Sequence, residues 1–189
     1  MSETDLQSAG ALTEARVREI IKEEITRAFK KDPAARQGMI IASKGTLDWA
    51  YPPLILATAG AAAGLDMSIF FTFYGLNIVH KDFQKKLKVS PVANPGMPMP
   101  VPMPDIITAL PGMTGFATGM MKGMFAKKGV ATIAELLDVA RESEVKLIAC
   151  QMTMDVFGYD QSEFIEGVEF GGAAAALSEA RKSHLTLFI

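Results

Sequence analysis

One residue in this 189-residue chain is a soft nucleophile, and it is the only one of its type: Cys150. It closes an apolar run and precedes a helical pattern within KLIACQMTMDVFGYD, residues 146–160. A single thiol excludes an internal disulfide, a cysteine-based zinc cluster and a CxxC redox pair. Three roles remain: inert packing, a nucleophile or carrier, or a link between chains. At a strand end just before a helix start, backbone N–H groups and the helix dipole favour a thiolate. The competing reading is an inert buried cysteine, since free cysteine is among the most buried residue types.

A second stretch at the same edge of the fold is SKGTLDWAY, residues 43–51. Lys44 is the candidate to steady an anionic thiolate or a sulfur–oxygen anion, and Gly45 with Thr46 opens backbone N–H groups at the next helix start. The first glycine of a Walker loop and its spacing are missing. Asp48 reads as a first-turn charge that complements the helix dipole. Trp49 and Tyr51 either wall a pocket or pack on the core. His80 and His184 are far apart in sequence and read as packing or surface histidines. Asp155 would either raise the thiol's pKa or cap the helix after Cys150. No histidine and carboxylate cluster has metal-ligand spacing, so neither a metal nor a cofactor is expected.

The elements that must position these residues follow from periodicity. Short apolar runs at 39–43, 67–73, 145–150, 167–172 and 184–189 read as five strands. Between them, helical patterns cover 47–63, 132–141 and 173–183, with a short helix in 74–88 and one or two turns in 153–164. Strands alternating with helices predict an α/β fold with a parallel sheet covered on both faces. Residues 12–31 place Leu12, Val17, Ile20, Ile21, Ile25 and Phe29 on one face, predicting an amphipathic helix ahead of the first strand. VSPVANPGMPMPVPMPD, at about 89–105, holds six prolines, which exclude regular helix and central strand. Its interleaved methionines suit a lid or an interface strap. Farther on, Gly115, Gly119 and Gly123 share a helical face that predicts close packing against another helix or chain.

Nineteen basic and twenty-one acidic residues give a net charge of −2, which excludes a field that would gather nucleic acid. The start has no basic head followed by an apolar core, and the uncharged run 49–65 is shorter than the roughly 20 residues of a spanning helix. The expectation is a cytoplasmic protein of one domain, 37–189, with an extension at 1–36.

ASKGTLDWAYPPLILATAGAAAGLDMSIFFTFYGL, NPGMPMPVPMPD and KLIACQMTMDVFGYD, in that order, resemble the DsrE/DsrF family of sulfur-relay proteins, in particular its larger DsrE-like subgroup sometimes labelled peroxiredoxin-like. The resemblance spans residues 39–189. It implies a three-layer α/β/α domain with a five-stranded parallel sheet, assembled as a homo-oligomer. It also implies a cysteine, matching Cys150, that carries sulfane sulfur as a persulfide or thiosulfonate. Implied partners are TusA-like and rhodanese-like proteins and a donor such as a persulfide, polysulfide or thiosulfate. The peroxiredoxin label finds no peroxidatic motif or resolving cysteine here. The sequence therefore reads as a sulfur carrier or sulfurtransferase. The rival is a non-catalytic oligomeric scaffold or membrane-associated adaptor that uses the glycine-spaced helix and the Met/Pro strap as its contact surface, with peripheral membrane contact.

Overall fold

The computed structural model describes residues 36–90 and 112–189. The helix expected at 12–31 and all but the first two residues of the Met/Pro insertion lie outside that range. Gln37–Ile189 forms one compact unit. Its order is β1 (Gln37–Ala42), α1 (Leu47–Ala62), β2 (Asp66–Phe71), α2 (Met113–Lys127), α3 (Ile133–Glu142), β3 (Lys146–Cys150), α4 (Gln151–Phe157), β4 (Val168–Gly171), α5 (Ala173–Lys182) and β5 (Leu185–Phe188). The five strands form one sheet in the order β4-β3-β2-β1-β5. Every pairing is parallel.

That order explains the layers. β1 to β4 step across the sheet in one direction, and β5 returns to the far side of β1. Right-handed crossovers put the connections of the forward steps on one face and the returning α5 on the other. On the first face, Ile40, Ala42, Ile69, Phe71, Leu147 and Ala149 bury against α1 and α3, through Leu54, Ala57, Leu137 and Ala140. On the second, Met39, Phe70, Ile148 and Cys150 cluster with Ala176 of α5. Strand alternation thus assigns Cys150 to the α5 face.

Local chemistry fixes the helix starts. α3 opens with a capping box: the Thr132 hydroxyl accepts the Glu135 N–H at 3.3 Å, and the Glu135 carboxylate accepts the Thr132 N–H at 2.7 Å. The Thr132 N–H and the Thr132 hydroxyl, which also donates to this carboxylate at 2.9 Å, hold the Glu135 carboxyl below its ordinary pKa. α1 keeps Pro52 and Pro53 inside its first half. Its N-terminus is braced from outside, since the Leu47 N–H donates to the Lys88 carbonyl at 2.8 Å. The Ser90 N–H donates to Asp48 Oδ1 at 3.1 Å, so Asp48 anchors a neighbouring segment in addition to sitting in the first turn.

Two expectations change. Residues 74–88 hold no α-helix but two 3-10 turns, Phe73–Ile78 and Gln84–Lys86. The first is tight because Gly75 rests on the Ala42 carbonyl, where an added Cβ would lie 2.1 Å away. α4 begins directly after Cys150 rather than at Thr153. The glycine face of α2 is open, with nothing within 4 Å of the Cβ positions at Gly115, Gly119 and Gly123 among the described residues. α2 packs instead through Ala117, Met121 and Phe125, which meet the main core.

His80 is 3% exposed within an aromatic cluster of Phe83, Tyr159 and Phe164. Its Nδ1 accepts the Asp82 N–H at 3.2 Å, leaving the proton on Nε2, which stands 3.8 Å from Glu163 Oε1. Burial pushes this imidazole below its ordinary 6.5, while Glu163 and Asp82 pull it upward. An unfolded chain therefore takes up the proton before the folded one does. The stability that neutral His80 contributes is complete above about pH 6.5 and is lost as pH falls through the depressed folded value. Urea midpoints should fall between about pH 7 and pH 5.5 in the wild type, with a shallower fall in His80→Phe. Equal slopes in the two proteins would contradict this assignment.

Candidate functional site

Cys150 ends β3 and is the N-cap residue of α4, with φ −72 and ψ 108. Its ladder partner on β4 is Gly171, two residues before α5 begins. The side chain is 3% exposed, yet two threonines approach it. Thr72 follows the last residue of β2, and alternation puts it on the same face as Phe70 and Cys150. Thr153 lies in the first turn of α4 and is likewise 3% exposed. The two hydroxyl oxygens are 3.4 Å apart, and the Phe73 N–H donates to Thr153 Oγ1 at 3.3 Å.

Burial pushes the Cys150 thiol up, but hydrogen bonds from the Thr153 hydroxyl and amide, the Thr72 hydroxyl and the Met152 amide outweigh it. The net result is a thiol held below its ordinary value. The site therefore favours a thiolate without a cationic partner, through neutral donors that solvate the anion. Thr72→Val keeps the shape and removes one donor. The pH profile of Cys150 alkylation should then move to higher pH, with a rate at neutral pH lower by about 10-fold or more, the worth of one hydrogen bond to a charged group. An unmoved profile would remove Thr72 from the site.

Large apolar side chains are exposed on the segments that flank Cys150. Phe73, Tyr74, Met152 and Val156 are 57%, 64%, 61% and 75% exposed, and all belong to the two segments that carry Thr72 and Thr153. Grouped exposure of large apolar side chains marks a contact surface. Tyr74 stacks on Phe157 with ring centroids 5.8 Å apart. Phe73 has φ +46, a left-handed conformation that costs a side-chain-bearing residue roughly 1–2 kcal/mol.

The other site candidates occupy the end of β1, two strands from β3 and therefore roughly 10 Å across the sheet. Lys44 is exposed, with its ammonium 3.3 Å from the Trp49 ring centroid, so these two residues engage each other. Gly45 faces the Tyr74 carbonyl, from which an added Cβ would be 1.9 Å away. Thr46 is the N-cap residue of α1, and its buried hydroxyl has no hydrogen-bond partner among the described residues. Tyr51 is 8% exposed and packs edge-to-face on Phe125 at 4.7 Å. Asp155 accepts a hydrogen bond from Gln151 Nε2 at 2.9 Å. Of this set, Gly45 is the residue in contact with the turn that follows Thr72.

Thr72 and Thr153 were not singled out by sequence reasoning. The signal for Thr153 was its place three residues after Cys150, where a first-turn side chain reaches back to the N-cap. Thr72 carried no local signal, because the approach of β2 to β3 is a tertiary fact. Among the described residues no group of histidine, cysteine, aspartate and glutamate could hold a metal ion.

Comparison with known proteins adds lineage to this geometry. A family model described as "DsrE/DsrF/DrsH-like family" matches residues 34–188. A protein of Allochromatium vinosum named "Sulfur carrier protein DsrE2" is 53% identical over 154 residues, covering 79% of this chain and 96% of that one. "Uncharacterized protein YrkE" of Bacillus subtilis is 31% identical over 151 residues, with 79% and 94% covered. Among solved structures, the ychN protein from E. coli matches with a TM-score of 0.45 and 15% identity, covering 81% of this chain and 99% of that one.

Proposed function

The chain belongs to the DsrE/DsrF/DrsH-like family, and from that premise we propose that it is a sulfur carrier that moves sulfane sulfur on Cys150. The observation that carries the reading is the sulfur's own surroundings: two hydroxyls and two amides hold the one thiol below its ordinary pKa at the apolar rim of a parallel sheet. A relative named as a sulfur carrier over most of the chain supports it.

In the loading step the Cys150 thiolate attacks the outer sulfur of a donor persulfide. The donor S–S bond breaks, its inner sulfur leaves as a thiolate, and Cys150 holds the sulfur as a persulfide. With thiosulfate as donor the leaving group is sulfite. In unloading, an acceptor thiolate attacks the outer, protonated sulfur of that persulfide and releases the Cys150 thiolate. Neither step needs an external oxidant or reductant, because sulfane sulfur passes between thiolates as in thiol–disulfide exchange. With one cysteine, this chain has no second thiol of its own, so the acceptor is a separate molecule or a second subunit. TusA-like and rhodanese-like proteins fit that role, and cytoplasmic residence and homo-oligomeric assembly complete the proposal. A thiosulfonate on Cys150 would come from tetrathionate, whose inner S–S bond the thiolate breaks to release thiosulfate, with Lys44 proposed as support for the anion.

Intact mass of the reduced protein after exposure to a persulfide donor, thiosulfate or tetrathionate tests this reading. A reducible adduct that maps to Cys150 is the expected result. If no donor loads a thiol that iodoacetamide readily alkylates, the carrier reading fails. The scaffold or adaptor reading, favoured by the open glycine face of α2, would then take its place. Among the described residues no helix is long and apolar enough to cross a membrane.

A further inference from the structure

His80 is a buried titratable group that the sulfur chemistry does not use, and its ring stands between two partners. It is 3% exposed, and its buried Nε2 has no hydrogen-bond partner among the described residues. Nδ1 accepts the N–H of Asp82, two places on in the chain, at 3.2 Å, as the oxygen of an Asx turn would. An accepting Nδ1 places the one proton of the neutral ring on Nε2. That nitrogen lies 3.8 Å from Glu163 Oε1, just beyond hydrogen-bond reach. The other Glu163 oxygen accepts the Asp160 N–H at 2.7 Å, which keeps this carboxylate beside the ring. The two backbones are joined independently of these side chains: the Lys81 N–H donates to the Glu163 carbonyl at 2.9 Å and the Ile165 N–H to the Val79 carbonyl at 3.0 Å.

We propose that His80 is a pH-dependent toggle that holds the Asp82 N–H when neutral and the Glu163 carboxylate when protonated. A second proton enters at Nδ1, so the lone pair that accepts from Asp82 disappears and two N–H groups face each other. That bond must break. The positive ring at the same time draws Glu163 Oε1 into a charge-assisted hydrogen bond with the Nε2–H, about 1 Å closer than it stands in the neutral state. The pocket accepts the charge, because the rings of Phe83, Tyr159 and Phe164 lie 4.5, 5.0 and 5.5 Å from the imidazole and aromatic rings attract cations. The titratable and charged groups beside it are Asp82 and Lys81 on its own segment and Glu163 and Tyr159 across from it. The Lys81 ammonium is engaged by the Ser162 carbonyl at 2.6 Å. Burial opposes the charged ring, and Glu163 and Asp82 favour it. The exchange loosens Asp82 at the start of the turn that carries Phe83, Lys85 and Lys86, while the Gln84 N–H keeps its bond to the His80 carbonyl at 3.1 Å. This device goes beyond the carrier reading and does not depend on it.

NMR of the full chain between about pH 7.5 and about pH 5 tests it, a range that brackets histidine titration. The ring ¹⁵N shifts should show the Nε2–H tautomer at the upper end and the doubly protonated ring at the lower. Protection of the Asp82 amide against hydrogen exchange, corrected for its intrinsic rate, should fall by about 5-fold with the same midpoint, the worth of one neutral hydrogen bond. The Thr132 amide, held by Glu135 instead of a histidine, should keep its protection over the same range. Glu163→Gln retains an oxygen for the Asp160 N–H and should move the midpoint to lower pH by about half a unit or more. His80→Asn puts an oxygen that does not titrate in place of Nδ1, so its Asp82 protection should not vary with pH. An Nδ1–H tautomer at neutral pH, a ring still neutral at about pH 5, or Asp82 protection unchanged while the ring titrates would each overturn the toggle. So would a Glu163→Gln midpoint equal to that of the wild type, or a wild-type pH response in His80→Asn.

Discussion

Cys150→Ser is expected to fold like the wild type and to carry no sulfur. The substituted hydroxyl is close in size to the thiol, and Thr72 and Thr153 remain to hydrogen-bond it, so stability should change by less than about 1 kcal/mol. The chemistry should vanish, because an unactivated serine is a far weaker nucleophile and oxygen forms no persulfide. Loading should fall by about 1,000-fold or more, to the background of the assay. Intact mass after incubation with a persulfide donor measures the loss, and a thermal melt of the same sample verifies folding. Sulfur bound by Cys150→Ser at wild-type stoichiometry would show that this cysteine is not the carrier. Full activity of the same variant in sulfur transfer would end the carrier reading.

Gly45→Ala should be the most damaging small substitution near the site. Its Cβ would fall 1.9 Å from the Tyr74 carbonyl oxygen and 2.8 Å from the carbonyl carbon, so backbone rather than a flexible side-chain end must move. That backbone continues into Phe73, whose N–H meets Thr153. Overpacking of this kind costs about 1–3 kcal/mol, and here it should also disturb the surroundings of Cys150. Gly119→Ala is the contrasting case, since its Cβ position on α2 is open among the described residues. Replacing glycine with alanine inside a helix should stabilise by roughly 0.5–1 kcal/mol. Urea unfolding of both variants checks the pair. A Gly45→Ala protein as stable as the wild type would mean that the two loops do not meet as described.

Much of this architecture was legible because apolar periodicity and sheet position depend on short-range pattern. The runs at 39–43, 67–73 and 145–150 hold the mostly buried strands β1, β2 and β3, and α3 between them is amphipathic, so the alternation was readable without contacts. Cys150 at the end of an apolar run was equally plain. Its immediate partners were less so. Thr72 is 78 residues away in sequence and enters only because β2 pairs with β3 in the observed register. Residues 74–88 looked helical from their spacing, but tertiary packing overrides local pattern there, with Gly75 pressed onto the Ala42 carbonyl. The glycine stripe on α2 marked a face suited to close approach, but spacing alone cannot say whether a neighbour fills it. Lys44 looked like anion support because it follows a strand end, whereas its ammonium lies over the ring of Trp49 in the adjoining turn.

The most direct test of the central claim is a single transfer with labelled sulfur. Cys150 would be loaded from a persulfide donor whose outer sulfur is ³⁴S, freed of donor, and mixed with a protein bearing one acceptor thiol. Both masses would then be followed in time. The account predicts that ³⁴S leaves this chain and appears on the acceptor one for one, with the Cys150 thiol regenerated. If the label stays on Cys150, or is lost to solution as sulfide without reaching the acceptor, the protein is not a carrier of sulfane sulfur.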